Sequence, residues 1–181
     1  MMKKKIMIMM TVLFFVVLAG CSKETKEIKE TDVNSALMYT FKIDEHEYRF
    51  RMLDGWLKYP VEDKSIAFLV GNKENKAFMS AGVEPVETSL EAYQEAFVEK
   101  LNQASVTIQT KPELKKINGM DSYYLSYIAN DKNNRPLTYK VYLIETEGYF
   151  VNLAAWTSQE EPTEKVLDNM ETMLNAFEQL K

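Results

Sequence analysis

The chain has little of what most catalytic and metal-binding proteins use. Among its 181 residues are one cysteine, one histidine and three arginines (Arg49, Arg51, Arg135), with six glycines and five prolines. A single thiol forms no internal disulfide. One histidine, His46, between Glu45 and Glu47, lacks the partners at fixed spacing that a metal site needs, so the pattern gives no metal and no cofactor. It reads instead as an exposed residue in a hairpin turn. No G-x-S-x-G elbow, glycine-rich phosphate loop or H-E-x-x-H helix is written in the sequence. Acid pairs such as Glu160-Glu161 and Glu145/Glu147 sit at the ends of expected elements, where solvated charge is the ordinary role. The pattern predicts no catalytic residue and no enzyme.

No apolar run is long enough to span a bilayer. Lys3, Lys4 and Lys5 precede Ile6 to Ala19, which carries no charge and ends after 14 residues; a spanning helix wants about 20. A basic cluster followed by a short apolar stretch is the pattern of a secretory signal. Its end, Leu18-Ala19-Gly20-Cys21, resembles the lipobox of bacterial lipoproteins. That resemblance implies a diacylglyceryl group on the Cys21 thiol, cleavage just before it beside the small Ala19 and Gly20, and acylation of the new amine in many bacteria. The expectation is residues 1–20 as signal peptide, Cys21 as the lipidation site and first mature residue, and 21–36 as a flexible tether. The tether reads so because Ser22 to Ser35 is nearly all polar or charged and buries too little apolar surface to fold alone. One acyl chain binds a membrane marginally, while two hold it stably.

Loss of the first twenty residues would leave 161, with 19 basic against 27 acidic side chains and a net charge near −8. A chain this acidic is a poor partner for nucleic acid, whose affinity comes from phosphate neutralisation. It also gains nothing from anionic head groups, so the lipid alone would hold it. The abundance of Lys, Glu, Asn and Met over Arg, Gly and Pro resembles the proteins of low-GC Gram-positive bacteria.

One globular domain is expected over 37–181. Tyr39, Phe41 and Ile43, then Tyr48, Phe50 and Met52, alternate at period two around Asp44 to Glu47, the pattern of a hairpin. Ser65–Val70 and Ala77–Val83 read as strands joined through a turn at Gly71–Asn75. Leu90, Tyr93, Phe97 and Leu101 share a helical face after a Thr88/Glu91 capping box. Val106 and Ile108, Glu113–Ile117, Met120–Ala129, Leu137–Thr146 and Tyr149–Trp156 restore strand patterning, with Asn118-Gly119 and Glu147-Gly148 as tight turns and Asp131–Pro136 as a polar loop. Val166, Leu167, Met170, Met173, Leu174 and Phe177 form a last apolar helix face after a Ser158/Glu161 box. In Tyr149–Trp156 both faces are apolar, so layers should cover both sides of the sheet. That predicts an α/β class, an antiparallel sheet in an α/β/α sandwich.

The order of elements is similar to the PsbP-like fold, whose members include photosystem-associated lumenal proteins and small bacterial lipoproteins. The segments that carry the resemblance are YTFKIDEHEYRFRMLDGW, TSLEAYQEAFVEKL, INGMDSYYLSY and EGYFVNLAAW, closed by the terminal helix. Asp54 stands before Gly55-Trp56 where that family would place a proline-containing turn. The resemblance implies an interaction or assembly role and transfers no site. Two functions follow as expectations: a lipid-anchored, non-catalytic protein working with an envelope protein partner, or a binder of a small sugar or peptide. In the second, Trp56 and Trp156 with Tyr123, Tyr124, Tyr127, Tyr139 and Tyr142 would line a stacking groove.

Overall fold

The computed structural model describes residues 37–104 and 106–180. Cys21 and the expected signal and tether lie outside the described residues.

Two meanders build the main sheet. The first is β3 (Leu57–Tyr59), β4 (Ile66–Asn72) and β5 (Ala77–Pro85); the second is β6 (Thr107–Ile117), β7 (Met120–Asn130), β8 (Pro136–Glu145) and β9 (Tyr149–Thr157). All pairings are antiparallel and the strand order is β3-β4-β5-β9-β8-β7-β6. The chain leaves β5 at the centre and re-enters as β6 at the far edge, so the connection must cross β9, β8 and β7. The helix α1 (Leu90–Gln103) makes that crossing. Its buried stripe Leu90, Tyr93, Phe97 and Leu101 packs on Leu125, Val141, Leu143 and Phe150.

The opposite face is covered by α2 (Glu164–Asn175) and by a second sheet, in which β2 (His46–Met52) pairs with β1 (Leu37–Ile43) and with β10 (Glu178–Gln179). Val166, Met170, Met173 and Leu174 of α2 meet Met79, Ala81, Val151, Leu153 and Ala155 of the main sheet, together with Tyr48 and Phe50 of the small one. The expected α/β/α sandwich is the arrangement seen, with a three-stranded sheet sharing the layer of α2.

Several local expectations move, each for a physical reason. Thr163, not Ser158, caps α2; its hydroxyl accepts from the Val166 amide. A helix begun at Ser158 would place Pro162 at the fourth helical position, where an N–H is needed and the ring clashes. Ser89, one residue after Thr88, caps α1 and accepts from the Ala92 amide at 3.2 Å, which sets Leu90 on the buried stripe. Phe177 lies beyond the helix end, in the turn that leads α2 into β10. β6 runs unbroken through Pro112, with register shifts on either side of Thr110. An edge strand tolerates the proline and the irregularity, and Lys111, Lys115 and Lys116 further blunt that edge against pairing.

Gly71 and Asn72 belong to β4 and not to the turn. A Cβ on Gly71 would stand 2.5 Å from Phe78 Cδ1 and 3.1 Å from Tyr59 Cε2. Gly71→Ala is therefore expected to destabilise the domain by about 1–3 kcal/mol, as overpacking does. Adding Phe78→Ala should remove much of that penalty in a double-mutant cycle read by urea denaturation; strictly additive costs would show that the two side chains do not compete.

Candidate functional site

On the α1 face of the main sheet, one cross-strand row holds Tyr127 of β7, Tyr139 of β8, Trp156 of β9 and Phe78 of β5. Their rings stack in sequence. Tyr127 and Tyr139 have centroids 4.8 Å apart, Tyr139 and Trp156 5.8 Å, and Trp156 and Phe78 5.6 Å, with interplanar angles between 10° and 22°. Tyr59 of β3 continues the row as a tilted ring 6.0 Å from Phe78. It reaches there across Gly71, whose missing side chain opens the space. Phe97 of α1 closes over Tyr127 at the other end.

This belt contains three of the expected groove aromatics, and Tyr123 packs beside the same cluster. The other three lie on the opposite face. Trp56 is 3% exposed in the core beneath the small sheet, and Tyr124 and Tyr142 belong to that same core cluster. The expected seven-ring groove is thus divided by the sheet itself. Successive residues of a strand point to opposite faces, so Tyr123 and Tyr124 could not share one. Tyr59 and Phe78 were missing from the expected set. The signal for them was a glycine paired beside an aromatic across β4 and β5, visible only once register is known.

The stacking determines what the belt can do. Face-to-face rings at these separations are occupied by one another and present edges, not faces, to a visitor. Burial pushes the Tyr139 hydroxyl up to about 12 and that of Tyr127 higher still. These phenols are partly buried and stay neutral at physiological pH.

Among the described residues, two buried side-chain oxygens on this face have no hydrogen-bond partner, Tyr59 Oη and Asn152 Oδ1. Asn152 pairs across the sheet with Gly82 on one side and Leu143 on the other. Near one end of α1, Tyr93 stacks on Phe150 at 4.4 Å and its hydroxyl donates to Glu84 Oε1 at 3.4 Å. Desolvation raises the Glu84 pKa, with Lys100 and the Tyr93 hydrogen bond opposing it.

A carboxyl whose pKa is raised on folding favours the folded state below its unfolded pKa, and that contribution is lost as pH rises through the folded value. Glu84→Gln should therefore gain stability relative to wild type as pH climbs from about 4 to about 7. Paired denaturation curves across that window check it, and a constant difference would refute it.

His46 opens β2 opposite Ile43, not the turn. Its Nδ1 stands 3.9 Å from Glu147 Oε2 and 3.4 Å from Gln179 Nε2, tying the small sheet to the β8–β9 turn. Glu145, Glu147, Glu160 and Glu161 are exposed. Among the described residues, no group of three or more His, Cys, Asp or Glu side chains gathers as a metal site would. No described helix is long and apolar enough to cross a membrane.

Other polar groups join elements. Lys140 of β8, its side chain 14% exposed, pairs with Glu171 of α2. Tyr142 donates to Asn175 Oδ1 at 2.9 Å. Asn118 and Gly119 both have positive φ, 46° and 90°, the conformation of a type I′ turn. From that turn Asn118 Nδ2 donates to the carbonyls of Asn175 and Phe177, which satisfies backbone groups at the end of α2.

No protein-family model matches the chain, and no curated protein matches it by sequence. Solved structures do resemble it. Cyanobacterial PsbP (CyanoP) from Synechocystis is similar over 83% of this chain and 96% of its own, with a TM-score of 0.56 at 16% identity. LpqN, involved in cell envelope biogenesis of Mycobacterium tuberculosis, is similar over 74% of this chain and 83% of its own, TM-score 0.56, 13% identity. The Ran-binding protein Mog1p of Saccharomyces cerevisiae is similar over 80% of this chain and 96% of its own, TM-score 0.52, 12% identity. At these identities the likeness is one of fold, and the fold is PsbP-like.

Proposed function

We propose that this chain is an extracytoplasmic accessory protein, held to the membrane by a lipid on Cys21, that acts by contact with another envelope protein and catalyses nothing. The observation that carries the reading is the Leu18–Cys21 stretch, set between a short apolar run and a strongly polar segment. The domain's chemistry supports it: its aromatic belt is stacked on itself, and polar groups such as Lys140, Glu171 and Asn118 join elements. Among the similar structures, one is named for envelope biogenesis and one for binding another protein, the kind of role inferred here.

The test is made in the native cell. Labelled palmitate should enter the wild-type chain and not Cys21→Ser, which should leave the membrane fraction. Equal labelling of the variant would defeat the anchor. Photo-crosslinking of the anchored domain should then capture a discrete protein; a pattern no different from that of the unanchored variant would defeat the accessory role.

A second reading, a small sugar or peptide ligand, is favoured by the two unpartnered atoms, Tyr59 Oη and Asn152 Oδ1. A buried acceptor left unmade costs about 1–3 kcal/mol, which a ligand donor would recover. A thermal shift with sugars or short peptides that disappears in Asn152→Leu would support it.

A further inference from the structure

A glycine inside a central strand weakens the sheet. It belongs there when the backbone needs a positive φ, when a neighbour crowds the position, or when something must approach closely. Phe78 and Tyr59 account for Gly71. Gly82 has no such reason. It lies in β5, between β4 and β9, and is not among the glycines with positive φ. A Cβ there would meet Asn152 Cβ at 3.7 Å, the Asn152 carbonyl oxygen at 3.9 Å and Ile66 Cδ1 at 4.0 Å, all ordinary contacts. Neither strain nor crowding requires the glycine, and it leaves a space on the α1 side of the sheet.

The side chains around that space are polar, on a face whose other members are apolar. Asn152 of β9 pairs directly with Gly82, and Ser80 and Glu84 are its diagonal neighbours on β5, within reach across the pair. Ser80 is 6% exposed, and its hydroxyl has no hydrogen-bond partner among the described residues. Asn152 Oδ1 is buried and also unpartnered. The bond that carries a carboxamide turns freely over a broad range, so this oxygen can swing toward the space beside it. Two charges accompany these groups. Burial raises the Glu84 pKa and lowers that of Lys100 on α1, and each charge opposes the other's shift, which places the two near enough to interact.

We propose that the space over Gly82, on the α1 side of β5 and β9, is a binding site for a small zwitterion, an α-amino acid or a dipeptide. The ligand's ammonium would lie at the Glu84 end and accept the company of Asn152 Oδ1. Its carboxylate would take the Ser80 hydroxyl and the field of Lys100. The inference rests on the second reading above, a small ligand, and narrows it, because a neutral sugar offers no charge to either end. The site lies beside the aromatic belt and does not need its ring faces.

The experiment uses the full chain, with thermal shift and titration calorimetry against alanine, alanyl-alanine, N-acetylalanine, alaninamide and glucose. Alanine or alanyl-alanine should raise the melting temperature. N-acetylalanine and alaninamide, each missing one charge, should bind about tenfold or more weakly, the loss of a charge-assisted hydrogen bond. Gly82→Ala should keep the urea midpoint, since its methyl meets only ordinary contacts, and should lose the shift because that methyl fills the space. Glu84→Gln should weaken alanyl-alanine by about tenfold or more and leave N-acetylalanine, which has no ammonium to place there, unchanged. Undiminished binding in Gly82→Ala would overturn the proposal, as would equal affinity for the free and blocked compounds. A shift with glucose alone, lost in Asn152→Leu, would overturn the zwitterion and leave the broader small-ligand reading standing. No shift with any of the five compounds would overturn the zwitterion, and none with other sugars or peptides either would remove that broader reading too.

Discussion

Phe177→Ala is expected to cost the domain about 3–5 kcal/mol, in the range of large aromatic truncations in cores. Phe177 has no exposed surface. Its ring stacks on Tyr48 at 5.7 Å and meets Phe41 at 6.2 Å, and its carbonyl accepts from Asn118 at 2.7 Å. The ring thereby joins the end of α2 to the small sheet, while the backbone carbonyl ties the same residue to the β6–β7 turn. Truncation leaves a void where three elements meet, and none can collapse into it without losing its own partners. Phe177→Leu, which keeps much of the volume, should cost considerably less. Equilibrium urea unfolding reads both variants, and hydrogen exchange at the Leu180 amide, bonded to the Glu47 carbonyl at 2.7 Å, reports whether β10 detaches. If Phe177→Ala lies within about 1 kcal/mol of wild type, the C-terminal seam is not part of the cooperative unit.

How far the sequence revealed this depends on the range of the interaction. Period-two alternation in Tyr39–Ile43 and Tyr48–Met52, the helical stripe from Leu90 to Leu101 and the Asn118-Gly119 turn are local signals, and the elements they predict are present. The two apolar faces of Tyr149–Trp156 predicted layers on both sides, and α1 and α2 supply them. β3 and β10 escaped because strands of three and two residues carry no periodicity; each is defined by its partner, β4 or β2. Phe177 was placed on the helix face because it falls three residues after Leu174, a spacing that also suits a turn folding back on the same core. The candidate site was read less well for the same reason. A list of aromatics does not say which face each occupies. Trp56 and Trp156 look alike in composition, yet the sheet separates them, and the belt's fifth member depends on Gly71, a residue whose contribution is the space it leaves.

Trp156→Ala is the second large effect expected, again about 3–5 kcal/mol, and it bears on function. Trp156 is 5% exposed and lies between Tyr139 and Phe78, stacked on both. Removing the indole breaks the belt at its centre and exposes two ring faces at once. Aromatic pairs of this kind add about 0.5–1.5 kcal/mol beyond burial, so the loss should be non-additive with Phe78→Ala or Tyr139→Ala in double-mutant cycles. A belt that is purely structural predicts more. Trp156→Phe, which preserves a stackable ring, should recover most of the stability, and the crosslinked partner should be the same as for wild type. A belt that binds a sugar or peptide predicts the same stability but a different second result: Trp156→Phe would fold with little loss and yet forfeit a ligand-dependent thermal shift that wild type shows. The two readings thus separate on one conservative substitution. The interplanar angles decide the expectation, because rings stacked within 22° of parallel have already given their faces to one another.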